Sequence, residues 1–270
     1  MKVYAHLTQV PIDQVVELAR LAEELGFAGI SLADHLAAPE QISTPYPYGD
    51  APWKDAPHWG DPWVVAAALG QATRTLRVMT SVYVLPLRHP LAVAKAVATA
   101  AVLTGGRVSC GVGAGWLREE FVLAGQEFEG RGGRLDEAIQ ICRLAWSGEP
   151  VEFHGEHYDL DAFTMRPAPA ERPPILIGGA GPRALRRAIE LGDGWIAPAQ
   201  SGPELAANIT ELRTARPEGF EVVAWSDNGR DLGELAQAGA DSVRLRPQKL
   251  YSDLPDDPAA AMRRFAAEGL

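Results

Sequence analysis

Asp34 and His35 stand together at the end of a short apolar run, "FAGISLADH". An imidazole beside a carboxylate can move a proton near neutral pH, or it can donate a hydrogen bond to a ring-shaped ligand. A histidine that follows an aspartate can equally be an ordinary loop hydrogen bonder. A second stretch, "ILIGGAGPRALRRA" (175–188), ends an apolar run in Gly178, Gly179, Ala180 and Gly181 and then begins a helix pattern. Glycines let the backbone approach a phosphate closely, and a helix N-terminus adds unpaired N–H groups and a partial positive charge. Gly179, Gly181 and Ala184 also satisfy the dinucleotide fingerprint G-x-G-x-x-A. A tight turn that holds no ligand competes with both readings.

The elements that position these residues decide between them. Strand patterns cover 2–7, 27–34, 75–85, 107–115, 173–179, 194–200, 220–226 and 241–247. Helix patterns cover 11–26, 61–73, 89–106, 131–147, 182–192, 203–215, 231–238 and 258–268. Eight strand-then-helix units in 270 residues predict an α/β fold, a closed (β/α)8 TIM barrel, as a single domain over 1–270. Residues 149–169 alternate like a small hairpin, with its turn at His154, Gly155 and Glu156, inserted after the fourth βα unit. A Rossmann fingerprint belongs in the first βαβ unit, with an acidic residue about 20 positions on. Here it follows the fifth strand, and Ala197, Pro198, Ala199 and Gln200 supply no acid. In a (β/α)8 barrel the C-terminal strand ends build the site, which brings Asp34–His35, "TSVYVLP", "GVGAGW" and "GGAGP" to one mouth.

Composition excludes other classes. The net charge of −10 argues against nucleic acid and anionic membrane, though not against a small anionic ligand. Two cysteines, Cys110 and Cys142, give no disulfide framework and no metal cluster, and their pattern predicts buried thiols. His154 and His157 lack ligands that would complete a metal site. No G-x-S-x-G and no Walker loop occurs, and Lys95 falls inside a helix, away from a Schiff-base position. The N-terminus lacks a signal-like apolar region, so a cytoplasmic protein is expected. The expected partner is a small-molecule substrate, with a homodimer allowed.

Taken together, the strand ends resemble the luciferase-like monooxygenase superfamily. The likeness covers nearly the whole chain and is strongest over 61–121 and 173–195, in the order "HP…A…A…LTGGR…GVGAGW…E". Members are (β/α)8 barrels that bind FMN or the deazaflavin coenzyme F420, and this pattern is most similar to the F420 branch. The resemblance implies an F420-dependent oxidoreductase moving hydride between cofactor and substrate. The alternatives are an FMN-dependent monooxygenase and a protein that binds cofactor without turnover. It places His35 beside the cofactor ring as the proton partner, oriented by Asp34. It puts a cis-peptide bulge at Ser81–Val82 behind the ring, next to Gly113 and Gly115, and the phosphate on Gly178, Gly179, Ala180 and Gly181. Sugar-phosphate dehydrogenases of this branch carry a glutamate after the fourth-strand glycines. Trp116 stands there instead, so an aromatic substrate pocket is expected, with Trp53 and also Trp59 and Trp63 as candidate walls.

Overall fold

A computed structural model describes residues 1–8, 10–48, 59–199, 202–254 and 257–270. Eight parallel strands form the barrel: β1 Lys2–His6, β2 Gly29–Leu32, β3 Arg77–Thr80, β4 Val108–Gly113, β5 Ile175–Gly178, β6 Gly194–Ile196, β7 Glu221–Ser226 and β8 Ser242–Leu245. Each pairs with its chain neighbour. The ring closes where Lys2 to Ala5 of β1 lie against Ser242 to Leu245 of β8. The helices are α1 Val15–Leu25, α2 Pro62–Ala72, α3 Pro90–Leu103, α4 Arg118–Leu123, α5 Arg131–Ala145, α6 Pro182–Leu191, α7 Gly202–Ala215, α8 Leu232–Gln237, α9 Pro247–Leu250 and α10 Pro258–Gly269. The fold is the expected TIM barrel.

Strand alternation explains how the barrel is filled. Outward residues such as Val3, Ile30, Val78, Val243 and Leu245 join the main core beneath the helices, which also buries Cys110 and Cys142. Residues of opposite parity point inward. Tyr4, Met79, Leu176, Ile196 and Val223 form a separate buried cluster that plugs the barrel interior.

Local signals act as the sequence implied at several ends. Asp61 caps α2 by accepting from the N–H groups of Trp63 and Val64, at 2.9 and 3.1 Å, with Pro62 in the first turn. The hairpin is present as Val151–His154 paired with Asp159–Phe163. Its turn is docked on α5, where the Glu137 carboxylate accepts from the N–H groups of Glu156, His157 and Tyr158 at 2.8 to 3.1 Å.

Several details differ from the pattern, among them the short helix α9, which follows β8 directly. The first helix opens as a 3-10 turn, Ile12–Gln14, after Pro11. The third strand stops at Thr80 and resumes at Tyr83–Val84, which again pairs with β4. The Ser81–Val82 peptide in the gap is cis, as the resemblance implied. Helix α4, between β4 and α5, has no counterpart among the expected elements.

On the opposite end of the barrel, Glu23 of α1 ties down the entry to β3. Its carboxylate accepts from the N–H groups of Arg74, Thr75 and Leu76, at 2.9, 2.6 and 2.9 Å, and from the Thr75 hydroxyl at 2.9 Å. Desolvation pushes this carboxyl up, but the N–H groups of Thr75 and Leu76 outweigh it and hold the pKa down at about 2, against an ordinary 4.5. A depressed carboxyl contributes stability that is full above the unfolded value and is lost as pH falls toward the folded one. Glu23→Gln is therefore expected to lower Tm at pH 7, with the gap from wild type closing between pH 4.5 and 2. Thermal melts across that range check this; an equal gap at pH 7 and pH 2.5 would remove the carboxylate as the cause.

Candidate functional site

The C-terminal strand ends surround a cleft of about 640 Å³ above the interior plug. Asp34, His35, Ser81, Val82, Gly113, Gly115, Trp116, Gly178, Gly179 and Ala180 all line it. Gly181 does not: it caps α6 at φ 84°, and a Cβ there would enter open space. Trp53 lies outside the described residues. Trp59 lines the cleft, whereas Trp63 is buried in the core against Tyr83.

The expected link between Asp34 and His35 is replaced by two separate pairs. Asp34 is 2% exposed, and both its oxygens bind Arg88, at 2.8 and 2.9 Å. One of them also accepts from the Val84 N–H at 3.0 Å. This bidentate arrangement locks the end of β2 to the resumed third strand. Asp34 thus shapes the site wall. The carboxylate hydrogen-bonded to His35 is that of Glu120, on α4, whose Oε2 lies 2.8 Å from Nδ1. Its other oxygen accepts from the Leu36 N–H at 2.5 Å, so the same side chain fixes both the ring and the backbone after it. A carboxylate only accepts, so Nδ1 is the donor, and Nε2 carries the lone pair of the neutral ring. Glu120 is 1% exposed. The sequence signal for it was present in the quoted "GVGAGW…E" order, but an acid in the first turn of a helix reads as a solvated helix end.

An aromatic wall covers His35. The Trp59 ring lies 4.3 Å from the imidazole centroid to centroid, and Trp116 meets it edge-on at 6.5 Å. Tyr46 packs edge-on against Trp116 at 5.0 Å. The segment that carries Tyr46 is anchored to α4, because Glu119 accepts from the N–H groups of Ser43 and Thr44 and from the Ser43 hydroxyl.

Val82 forms the floor beside the plug. A Cβ on Gly113 would come within 2.7 Å of Val82, and one on Gly178 within 2.3 Å. Both glycines therefore face the cleft and also leave room for the branched Val82 side chain.

The charge of the cleft is opposite to that of the chain. Among the described residues its lining includes Arg131, Arg183, Arg187, Arg244 and Arg246, against one carboxylate, Asp34, already held by Arg88; Arg187 is itself paired with Asp136, outside the lining. None of these arginines was singled out in the sequence. Arg131, Arg183 and Arg187 gather near the glycine turn, where Gly179 and Gly181 adopt φ 116° and 84° ahead of α6. Positive φ is a conformation that only glycine reaches cheaply. Pro182 has no N–H and that of Ala184 is taken by the Gly181 carbonyl, so the Arg183 N–H and the Arg131 and Arg183 guanidinium groups are the donors left to a phosphate, Arg187 being already paired with Asp136.

At the opposite side, His6 is buried, with Nδ1 at 2.8 Å from the Ser31 hydroxyl and Nε2 at 2.6 Å from that of Thr8. Burial, then the charges of Arg244 and Arg246, hold its pKa well below the usual 6.5, so it is neutral.

Among the described residues, no helix is long and apolar enough to cross a membrane. An uncharacterised Mycobacterium tuberculosis protein is 38% identical over 222 residues, 79% of this chain and 77% of that one. An F420-dependent hydroxymycolic acid dehydrogenase of the same organism is 32% identical over 257 residues, 94% of this chain. The match spans only 62% of that dehydrogenase's length. Among solved structures, the coenzyme F420-dependent tetrahydromethanopterin reductase of Methanopyrus kandleri superposes with a TM-score of 0.76. It covers 99% of this chain and 97% of the other at 14% identity, a likeness of fold. The luciferase-like monooxygenase family model matches residues 2–240, and the chain belongs to that family.

Proposed function

We propose that this protein is a coenzyme F420-dependent oxidoreductase acting on a small organic substrate. The observation that carries this reading is the convergence, in one cleft, of the arginine-flanked glycine turn and the His35–Glu120 pair. The names of its relatives agree with it. The residues present fit the cofactor: Gly179, Ala180 and the start of α6 with Arg183 would hold its phosphate, and Val82, Gly113 and Gly178 would back its ring.

When bound, a deazaflavin supplies hydride transfer and not oxygen activation, because carbon stands at its reactive position. The protein's part is binding, orientation and the proton. His35 holds or gives up a proton at Nε2, with Glu120 fixing the ring. Trp59 and Trp116 exclude water from that nitrogen's surroundings, which strengthens the His35–Glu120 interaction. Arg88 and Asp34 keep the wall behind them in register.

Fluorescence titration of purified apo-protein with F420 and with FMN, in separate experiments, tests the reading. F420 is expected to bind more tightly. A protein that purifies yellow with stoichiometric FMN and ignores F420 overturns it.

A further inference from the structure

Alternation along β8 turns Val243 and Leu245 outward into the main core and leaves Arg244, with Arg246 two residues on, facing the barrel mouth. Arg244 is 8% exposed. One of its terminal nitrogens donates to the Ala197 carbonyl at 2.5 Å. Its Nε, and that of Arg246, are buried without a hydrogen-bond partner. Among the described residues neither guanidinium has an ion pair. The nearby acid, Asp227, accepts from the Trp225 indole N–H at 2.6 Å. Both guanidinium groups lie over that indole, at 4.8 and 5.4 Å from its centroid. Burial and the charge of Arg246 lower Arg244 to about 10, which still leaves it protonated at neutral pH.

A buried and a half-buried like charge with unpaired, buried Nε donors are costly to hold in a fold unless something completes them. The group that completes paired guanidinium donors is an oxyanion. Among the described residues no carboxylate plays that part, and the neighbouring His6 could add only a further positive charge. The surroundings are otherwise apolar and aromatic: Tyr46, Tyr48, Trp225 and Pro198 line the same part of the cleft. The glycine turn after β5 is three strands away around the ring, so the two basic clusters stand at different places on the rim of the cleft.

We propose that Arg244 and Arg246 form the substrate's anchor, binding a carboxylate or phosphate carried on an apolar or aromatic organic molecule. This rests on the reading of the cleft as the active site of an F420-dependent oxidoreductase. The anchor selects anionic over neutral substrates and points their apolar bodies toward the aromatic wall over His35.

Calorimetric titration of benzoate, phenyl phosphate and neutral benzamide, with and without F420, tests the anchor. At least one anion is expected to bind at least about tenfold more tightly than benzamide, and which of the two does so separates carboxylate from phosphate. Arg246→Gln, at a half-buried position, and Arg244→Met are expected to erase that preference. Their F420 affinity, read by fluorescence, stays within about twofold of wild type. Circular dichroism identifies any variant that fails to fold, and the salt dependence of anion binding to wild type gives a readout independent of the variants. Binding of benzamide as tight as that of both anions overturns the proposal, as does the absence of anion binding. Loss of F420 affinity in either folded variant also overturns it, because the arginines would then hold the cofactor. Anion binding to a wild-type protein that ignores F420 would leave the anchor standing and remove the redox reading alone.

Discussion

His35→Ala is expected to lower turnover by about 10²–10⁴ while F420 affinity changes far less, because a positioned proton partner acts mainly in the transition state. The geometry behind this is the 2.8 Å contact between Nδ1 and Glu120; the proposed role assigns the proton exchange to Nε2. Glu120→Gln then becomes a graded test of the same pair. It keeps the side-chain shape but replaces the carboxylate that fixes the ring, so turnover falls less than in His35→Ala. Steady-state kinetics, with cofactor affinity measured separately, decide the matter. Wild-type turnover in His35→Ala would make the histidine a loop-fixing residue only.

A larger effect on binding is expected from a single methyl group. Gly178→Ala would place a Cβ 2.3 Å from Val82 and 3.5 Å from the Val112 carbonyl oxygen. The Val82 side chain must then move into the cleft. Overpacking of this kind costs about 1–3 kcal/mol, which is roughly 5- to 150-fold in cofactor affinity if it falls on the bound state. The double variant Gly178→Ala/Val82→Ala removes the obstructing methyl groups and is expected to recover most of the loss. The same affinity in Gly178→Ala as in wild type, with the fold intact by circular dichroism, would take Val82 away from the cofactor wall.

The elements of the barrel were legible because apolar residues recur at strand and helix periods and because Asp61–Pro62 marks its helix start plainly. The gap at Ser81–Val82 was not legible from propensity, since "VMTSVYV" is good strand sequence throughout; only the family pattern located it. Helix α4 escaped because it is six residues long and leaves Val122 and Leu123 largely exposed, so it shows no apolar stripe. Glu120 escaped with it. The arginines of β8 illustrate a more general blind spot. In an open sheet the polar half of an alternating strand faces water, and "DSVRLRP" reads that way. In a closed barrel the outward half packs under helices, the inward half fills the interior, and only the inward residues at the C-terminal strand ends reach the mouth. His6, Thr8, Arg244 and Arg246 are all placed there by this inversion.

The interior plug of Tyr4, Met79, Leu176, Ile196 and Val223 has a kinetic consequence. It fills the barrel interior beneath the cleft, so no route runs down the barrel axis. Anything that enters the cleft enters and leaves on the C-terminal face. Two molecules that share the cleft therefore load in sequence and unload in reverse, the deeper one arriving first and departing last. If the cofactor ring proposed to rest on Val82 lies deeper, the cofactor, spent after one hydride transfer, exchanges only after the molecule above it has left. Steady-state patterns should then be ordered, with product release never waiting on a back door.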